Sequence, residues 1–142
     1  MSDDPTASTD ELRGTASLTV AEADLASVIA QTPPDAFPPV FATARMIALM
    51  ELAASRALHG LLGEGEVSVG TSLDIAHSAP TPLGATVTAE AFVTGREATL
   101  YVFEVVASDG AGEVGRGTHR RAVVESARIV RTAGKRHGDS ES

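Results

Sequence analysis

Ala42–Leu62 reads ATARMIALMELAASRALHGLL, with helix formers throughout, no Pro, and no Gly before Gly60. Such a run predicts one long, hydrophobic helix that seeks the core. Glu51 is its only acid. On a turn of about 3.6 residues it shares a face with Ile47, Ala48, Ala54, Ser55 and Leu58, so the carboxylate is directed toward surface that must pack. Burying an isolated carboxylate is costly unless it is paired, hydrogen-bonded or protonated, and nothing on that face neutralises this one. A partner is therefore expected from another element.

His77 is the matching candidate. It ends Glu66–His77 (EVSVGTSLDIAH), where simple alternation puts Val67, Val69, Thr71, Leu73, Ile75 and His77 on one face and Ser68, Gly70, Ser72, Asp74 and Ala76 on the other. The apolar face is the one a buried helix would cover, so Glu51 and His77 are expected to meet in the same interlayer space. Residue type alone leaves a structural pair and a catalytic pair equally open.

Composition bounds the possibilities. A chain of 142 residues, 43% of them hydrophobic, is one domain able to bury its own core. It has no cysteine, which excludes disulfides and thiolate metal sites. A formal net charge of −8 argues against non-specific nucleic-acid binding, which needs a basic footprint. The start, MSDDPTASTDE, lacks the pattern of a secretory signal, and no apolar run has the length of a membrane span. A soluble, cytoplasmic protein is the expectation.

Residues 1–10 and 132–142 are polar and are expected to be disordered tails around a single domain at 11–131. Thr15–Val20 predicts a short first strand. The stretch after it contains TPPDAFPP, whose Pro33, Pro34, Pro38 and Pro39 exclude regular helix and central strand, leaving an ordered loop anchored by Phe37 and Phe41. Beyond the His77 strand, Ala85–Gly95, Thr99–Ser108 and Glu113–Val124 read as strands joined by hairpins at Gly95-Arg96-Glu97 and Asp109-Gly110. One long helix and five antiparallel strands in the order β-α-β-β-β-β predict an α+β hot-dog fold, the sheet wrapped around the helix. A sheet with an exposed edge also predicts a homodimer.

Other motifs carry less. Gly110–Gly115 (GAGEVG) matches G-x-G-x-x-G but joins two strands, so a glycine-rich hairpin is expected and not a dinucleotide site. His59, His77, His119 and His137 show no metal-ligand spacing, and neither metal nor cofactor is expected. Arg116, His119, Arg120 and Arg121 form a basic cluster, read first as a solvated strand face, although phosphates of a nucleotide-bearing ligand would suit it.

Three segments together carry a resemblance: FPPVFATARMIALMELAASRAL, EGEVSVGTSLDIAHSAPTPLGATVTAEA and SDGAGEVGRGTHRRAVV. In motif order and spacing they resemble the fluoroacetyl-CoA thioesterase family of hot-dog proteins over about Phe37–Val124. The resemblance implies that Thr43, Glu51 and His77 are the catalytic set. It further implies that the Gly70 backbone and Arg121 contact the substrate and that Phe37 belongs to a lid. Pro33, Pro34 and Asp35 stand where a second lid aromatic occurs in the family. The substrate it implies is a short-chain acyl-CoA, fluorinated or not, with coenzyme A as part of the substrate.

The residues suit thioester hydrolysis without selecting it alone. Glu51 can be nucleophile or general base, His77 can move protons to the leaving thiolate, Thr43 can orient Glu51 or water, and the Gly70 N–H can hold an oxyanion. Thr43 and Glu51 lie eight positions apart, about 12 Å along an ideal helix, so a bent first turn or a second subunit is needed to bring both to one acyl group. A hydratase or dehydratase acting on acyl thioesters, or a non-catalytic acyl-CoA binding module, are the alternative readings.

Overall fold

The computed structural model describes residues 12–138. Its strands are β1 (Arg13–Thr19), β2 (Glu66–His77), β3 (Thr86–Glu97), β4 (Leu100–Asp109) and β5 (Gly112–Glu125). They form one antiparallel sheet in the order β1-β3-β4-β5-β2, curled around the long helix α1 (Thr43–Ala57), which is the hot-dog arrangement. No helix among the described residues is long and apolar enough to cross a membrane.

The helix sits low on β1 and β3 because the facing side chains are small. Ala16 of β1 and Ala89 and Ala91 of β3 are buried, as are Ala53, Ala54 and Ala57 of α1. At Gly14 a Cβ would run into the Ala53 carbonyl and come within 2.6 Å of the Ala57 amide nitrogen. Hydrogen has to occupy that position for the two backbones to approach so closely. Around this contact Met46, Met50, Leu58, Val87, Phe103 and Val105 complete a core with no solvent exposure.

α1 ends five residues before the end of the predicted run. Ala57 is its last residue, Leu58 caps it, and His59–Leu61 continues as a single 3-10 turn. Gly60 and Gly63 follow at the spacing where helices terminate. The β3–β4 turn also falls later than expected, at Ala98-Thr99, with Ala98 at a φ of 53°. Gly95 instead sits where the β3–β4 register shifts. GAGEVG is a hairpin, its turn closed by Asp109 Oδ1 accepting from the Ala111 N–H at 2.8 Å.

The C-terminus differs from the structureless tail expected from residue 132. A helix, α2 (Ser126–Arg136), follows β5 directly. Arg128, Arg131 and Lys135 fall in one line on it, and Ile129, Val130 and Ala133 on the opposite side. Lys135 and Arg136 occupy its last turn, where cations favour the helix dipole. The expected N-terminal tail lies outside the described residues, as do residues 139–142.

The close approach at Gly14 predicts that Gly14→Ala, which must push α1 away from β1, costs at least about 2 kcal/mol, in the range of core overpacking. Gly95→Ala, where a Cβ meets nothing within 4 Å, should stay within about 1 kcal/mol of wild type. Urea unfolding of the two variants measures the contrast. Equal stabilities would contradict it.

Candidate active site

β2 decides where the site residues point, and it does not alternate from end to end. Its register on β5 runs Gly70↔Arg121 and then Ser72↔Arg120, so Thr71 is an extra residue, a β-bulge. Past the bulge, Leu73, Ile75 and His77 pair with His119, Gly117 and Gly115. Gly70 and His77 therefore share the helix-facing side, although an unbroken alternation separates them.

At one end of this face lie Thr43 and His77. Thr43 opens α1, and its Oγ1 lies 2.7 Å from His77 Nδ1. The entry of the helix is pinned by the segment before it. The Ala42 N–H donates to the Asp24 carbonyl at 2.9 Å, Phe41 N–H to the Thr81 carbonyl at 2.9 Å, and Ala26 N–H to the Val40 carbonyl at 2.8 Å. Arg45 Nε reaches Asp24 Oδ1 at 2.9 Å and ties the first turn of α1 to the same segment. His77 Nε2 is buried and has no hydrogen-bond partner among the described residues.

Thr43 and His77 line a pocket of about 380 Å³, walled by Phe37, Pro38, Val40, Phe41 and Pro80. The two expected anchors of the Pro-rich segment part company here. Phe41 is buried, whereas Phe37 is 44% exposed and stands at the pocket's edge. Apart from Thr43 and His77 its walls are largely apolar, a lining suited to a small acyl group.

Glu51 belongs to a second cluster. The expected Glu51–His77 pair is not present: the nearest charge to Glu51 is Arg121, with Oε2 3.5 Å from Nη1. Glu51 is also not buried as expected, its side chain being 41% exposed. The reason is topological. β2 is an edge strand, and α1 packs on β1 and β3 at the other side of the sheet, leaving Leu52 of α1 and Leu73 of β2 exposed. Gly70 abuts the carboxylate, for a Cβ there would collide with Glu51 Oε2 and lie 3.0 Å from His119 Cε1.

Arg121 is the buried partner, its side chain only 7% exposed. Its Nε donates to Ser68 Oγ at 2.9 Å, its Nη2 to the Ser68 carbonyl at 2.8 Å, and its Nη1 lies 3.1 Å from His119 Nε2. Burial pushes its pKa down and Glu51 pushes it up, and a guanidinium remains charged throughout. The basic cluster of β5 thus splits by alternation. Arg116 and Arg120 face outward, paired with Glu113 and Glu104 and with Glu97, while His119 and Arg121 face inward. His119 escaped the sequence reading as a site residue, and its two-residue spacing from Arg121 was the available signal.

Of the six sequence-predicted residues, the structure brings Thr43, His77 and Phe37 together at one pocket, and Glu51, Gly70 and Arg121 together at another place on the same face. Six ladder steps separate Gly70 from His77, about 20 Å along the strand.

Comparison with known proteins identifies the family. Residues 20–127 match the family model described as fluoroacetyl-CoA-specific thioesterase. The chain is 47% identical over 88 residues to the fluoroacetyl-CoA thioesterase of Streptantibioticus cattleyicolor, an alignment covering 62% of this chain and 63% of that relative. It also resembles the crystal structure of the fluoroacetyl-CoA thioesterase FlK, with a TM-score of 0.81, 36% identity, and 87% and 93% of the two chains covered. A thioesterase superfamily member from Thermus thermophilus, 23% identical with a TM-score of 0.76 over 87% and 91% of the chains, shares the fold. A match across residues 20–127 takes in the whole of α1, β2, β3, β4 and β5, and the chain belongs to the fluoroacetyl-CoA-specific thioesterase family.

Proposed function

We propose that this protein hydrolyses short-chain acyl-CoA thioesters, fluoroacetyl-CoA among them, to the free acid and CoA. The observation that carries the reading is the Thr43–His77 hydrogen bond at the pocket, 2.7 Å long, with the second ring nitrogen of His77 buried and unpartnered. A buried ring nitrogen needs a polar partner, and a reacting water or the leaving sulfur would be one. The family match supplies the thioester.

In the proposed reaction Glu51 either takes a proton from the attacking water or itself adds to the thioester carbonyl, giving an anhydride that water then opens. Either addition puts negative charge on the carbonyl oxygen, where the Gly70 N–H is the donor and no side chain obstructs the approach. Collapse breaks the carbon–sulfur bond, and His77 delivers the proton that the CoA thiolate needs. Arg121, pinned by Ser68, supplies fixed positive charge beside Glu51.

Within one chain the two half-sites stand too far apart for this. We therefore assign the working unit to a homodimer in which the free β2 edge, with exposed Val67, Leu73 and Leu52, packs across a two-fold axis. The Glu51 half of one protomer then faces the Thr43–His77 half of its partner. Cytoplasmic residence and independence of any cofactor complete the proposal.

Glu51→Gln should lower kcat by at least about 100-fold while leaving the thermal midpoint nearly unchanged, because Arg121 keeps its acceptors from Ser68 and His119 and the amide still offers it an oxygen. His77→Ala should do likewise. Thiol release from acetyl-CoA and thermal melts on the same samples check both. Large losses of stability with specific activity intact would defeat the catalytic roles.

Co-expression of Glu51→Gln with His77→Ala tests the composite site. If each site draws on two chains, half of the randomly paired dimers regain one intact site, and about a quarter of wild-type activity returns. No recovery in such mixed dimers would place the whole site in one chain.

Acyl length provides a third check. The walls set by Phe37, Pro38, Phe41 and Pro80 bound the pocket, so kcat/KM should fall from acetyl-CoA to decanoyl-CoA. A steady rise with chain length would overturn the short-chain assignment.

A further inference from the structure

His119 has no solvent exposure and lies outside the catalytic set. Its ring sits 6.0 Å from that of Phe103, centroid to centroid, with its Cε1 edge behind Gly70. Two hydrogen bonds hold it: Nδ1 lies 3.0 Å from the Ser72 carbonyl and Nε2 lies 3.1 Å from Arg121 Nη1.

The chemistry of the two partners fixes the ring's state. A carbonyl only accepts, so Nδ1 carries the proton, and a guanidinium only donates, so Nε2 presents its lone pair. The ring is neutral, as burial and the Arg121 charge favour, against the opposing pull of the Ser72 hydrogen bond and of Glu51. Ser72 directly follows the bulged Thr71. The hydrogen bonds therefore run in one direction, from the guanidinium through the imidazole to the backbone beside the bulge.

Building on the thioesterase reading, we infer that His119 is a positioning residue: as the neutral Nδ1–H tautomer it locks Arg121 Nη1 toward Glu51 and backs Gly70 at the thioester. The Ser68 contacts engage Nε and Nη2 of Arg121, and the planar head group carries Nη1 with them; because one of the two acceptors is a rotatable hydroxyl, they leave the tilt of the whole plane to be set from the Nη1 side. Only His119 Nε2 and Glu51 stand at that nitrogen. His119 thus supplies the third fixed acceptor, which sets the tilt of the guanidinium plane and so aims Nη1 at the carboxylate.

Two substitutions separate this role from mere core filling. His119→Gln keeps an acceptor near the Nε2 position and leaves the Ser72 carbonyl without its donor. His119→Asn keeps a donor near the Nδ1 position and leaves Arg121 Nη1 without its acceptor. Each leaves one buried partner unsatisfied, so their thermal midpoints should fall by similar amounts. For acetyl-CoA hydrolysis by the folded protein, kcat/KM should fall about 10- to 100-fold in His119→Asn and stay within about three-fold of wild type in His119→Gln. Equal kcat/KM values in the two variants would overturn the inference.

Wild-type protein that releases no thiol from acyl-CoA esters would refute the proposed function instead, and the ring's state is read independently of activity. Nitrogen-15 NMR of wild-type His119 should show the neutral Nδ1–H tautomer at pH 6.5. A protonated ring or the Nε2–H tautomer at that pH overturns the inference whatever the enzyme does.

Discussion

One surplus residue in β2 governs how the candidate site residues are arranged in this molecule. Without the bulge at Thr71, Gly70 and His77 would lie on opposite faces of the sheet, and only one of them could look toward α1. With it, the strand presents Gly70 to Glu51 before the bulge and His77 to Thr43 after it. A bulge leaves backbone groups out of the ladder, and here the Ser72 carbonyl next to it is met by the His119 ring. The same irregularity sets the two faces and provides the backbone acceptor for the imidazole behind Arg121.

Charge in the site is distributed unequally. The cation, Arg121, is buried and surrounded by acceptors from Ser68 and His119, while its anion, Glu51, remains open to solvent. At 3.5 Å and with the carboxylate 41% exposed, the pair is partly screened by water, and the buried cation takes its close hydrogen bonds from Ser68 and His119 instead. The result is a carboxylate beside a fixed cation that is still open to solvent. Outside, Arg116 and Arg120 are already matched to glutamates, so the basic look of the GRGTHRR segment divides into a paired outer row and an inner one that packs beside Glu51.

Much of this was legible in the residues. The bounds of β2, the start of α1, the strand order along the chain and the hot-dog architecture all follow from hydrophobic periodicity and turn residues. Thr43, Glu51, His77, Gly70, Arg121 and Phe37 came from motif order, and the structure gathers them on one face in two groups. The partner of Glu51 was misread because helical periodicity says which residues share a face, not which part of the sheet that face meets. β2 is at the far edge from α1, so the carboxylate stays half open. The bulge left no trace in hydropathy, since Val67, Val69, Thr71, Leu73 and Ile75 alternate without a break. α2 was hidden by charge and by Gly134, which together resemble a polar tail, although Arg128, Arg131 and Lys135 do keep a helical spacing.

The Pro-rich segment before α1 has its shape settled locally. Asp35 Oδ2 accepts from the Gln31 and Thr32 N–H groups at 2.8 and 3.0 Å, bonds that hold its carboxyl below the usual range, while four prolines restrict the rest. Because its conformation comes from ring geometry and a backbone turn, it does not depend on what Phe37 touches. The side chain at that position can change while the loop keeps its path. A segment built in this way lets descendants of this protein change what the pocket's edge admits by single substitutions at position 37 without first having to redesign the scaffold that carries it.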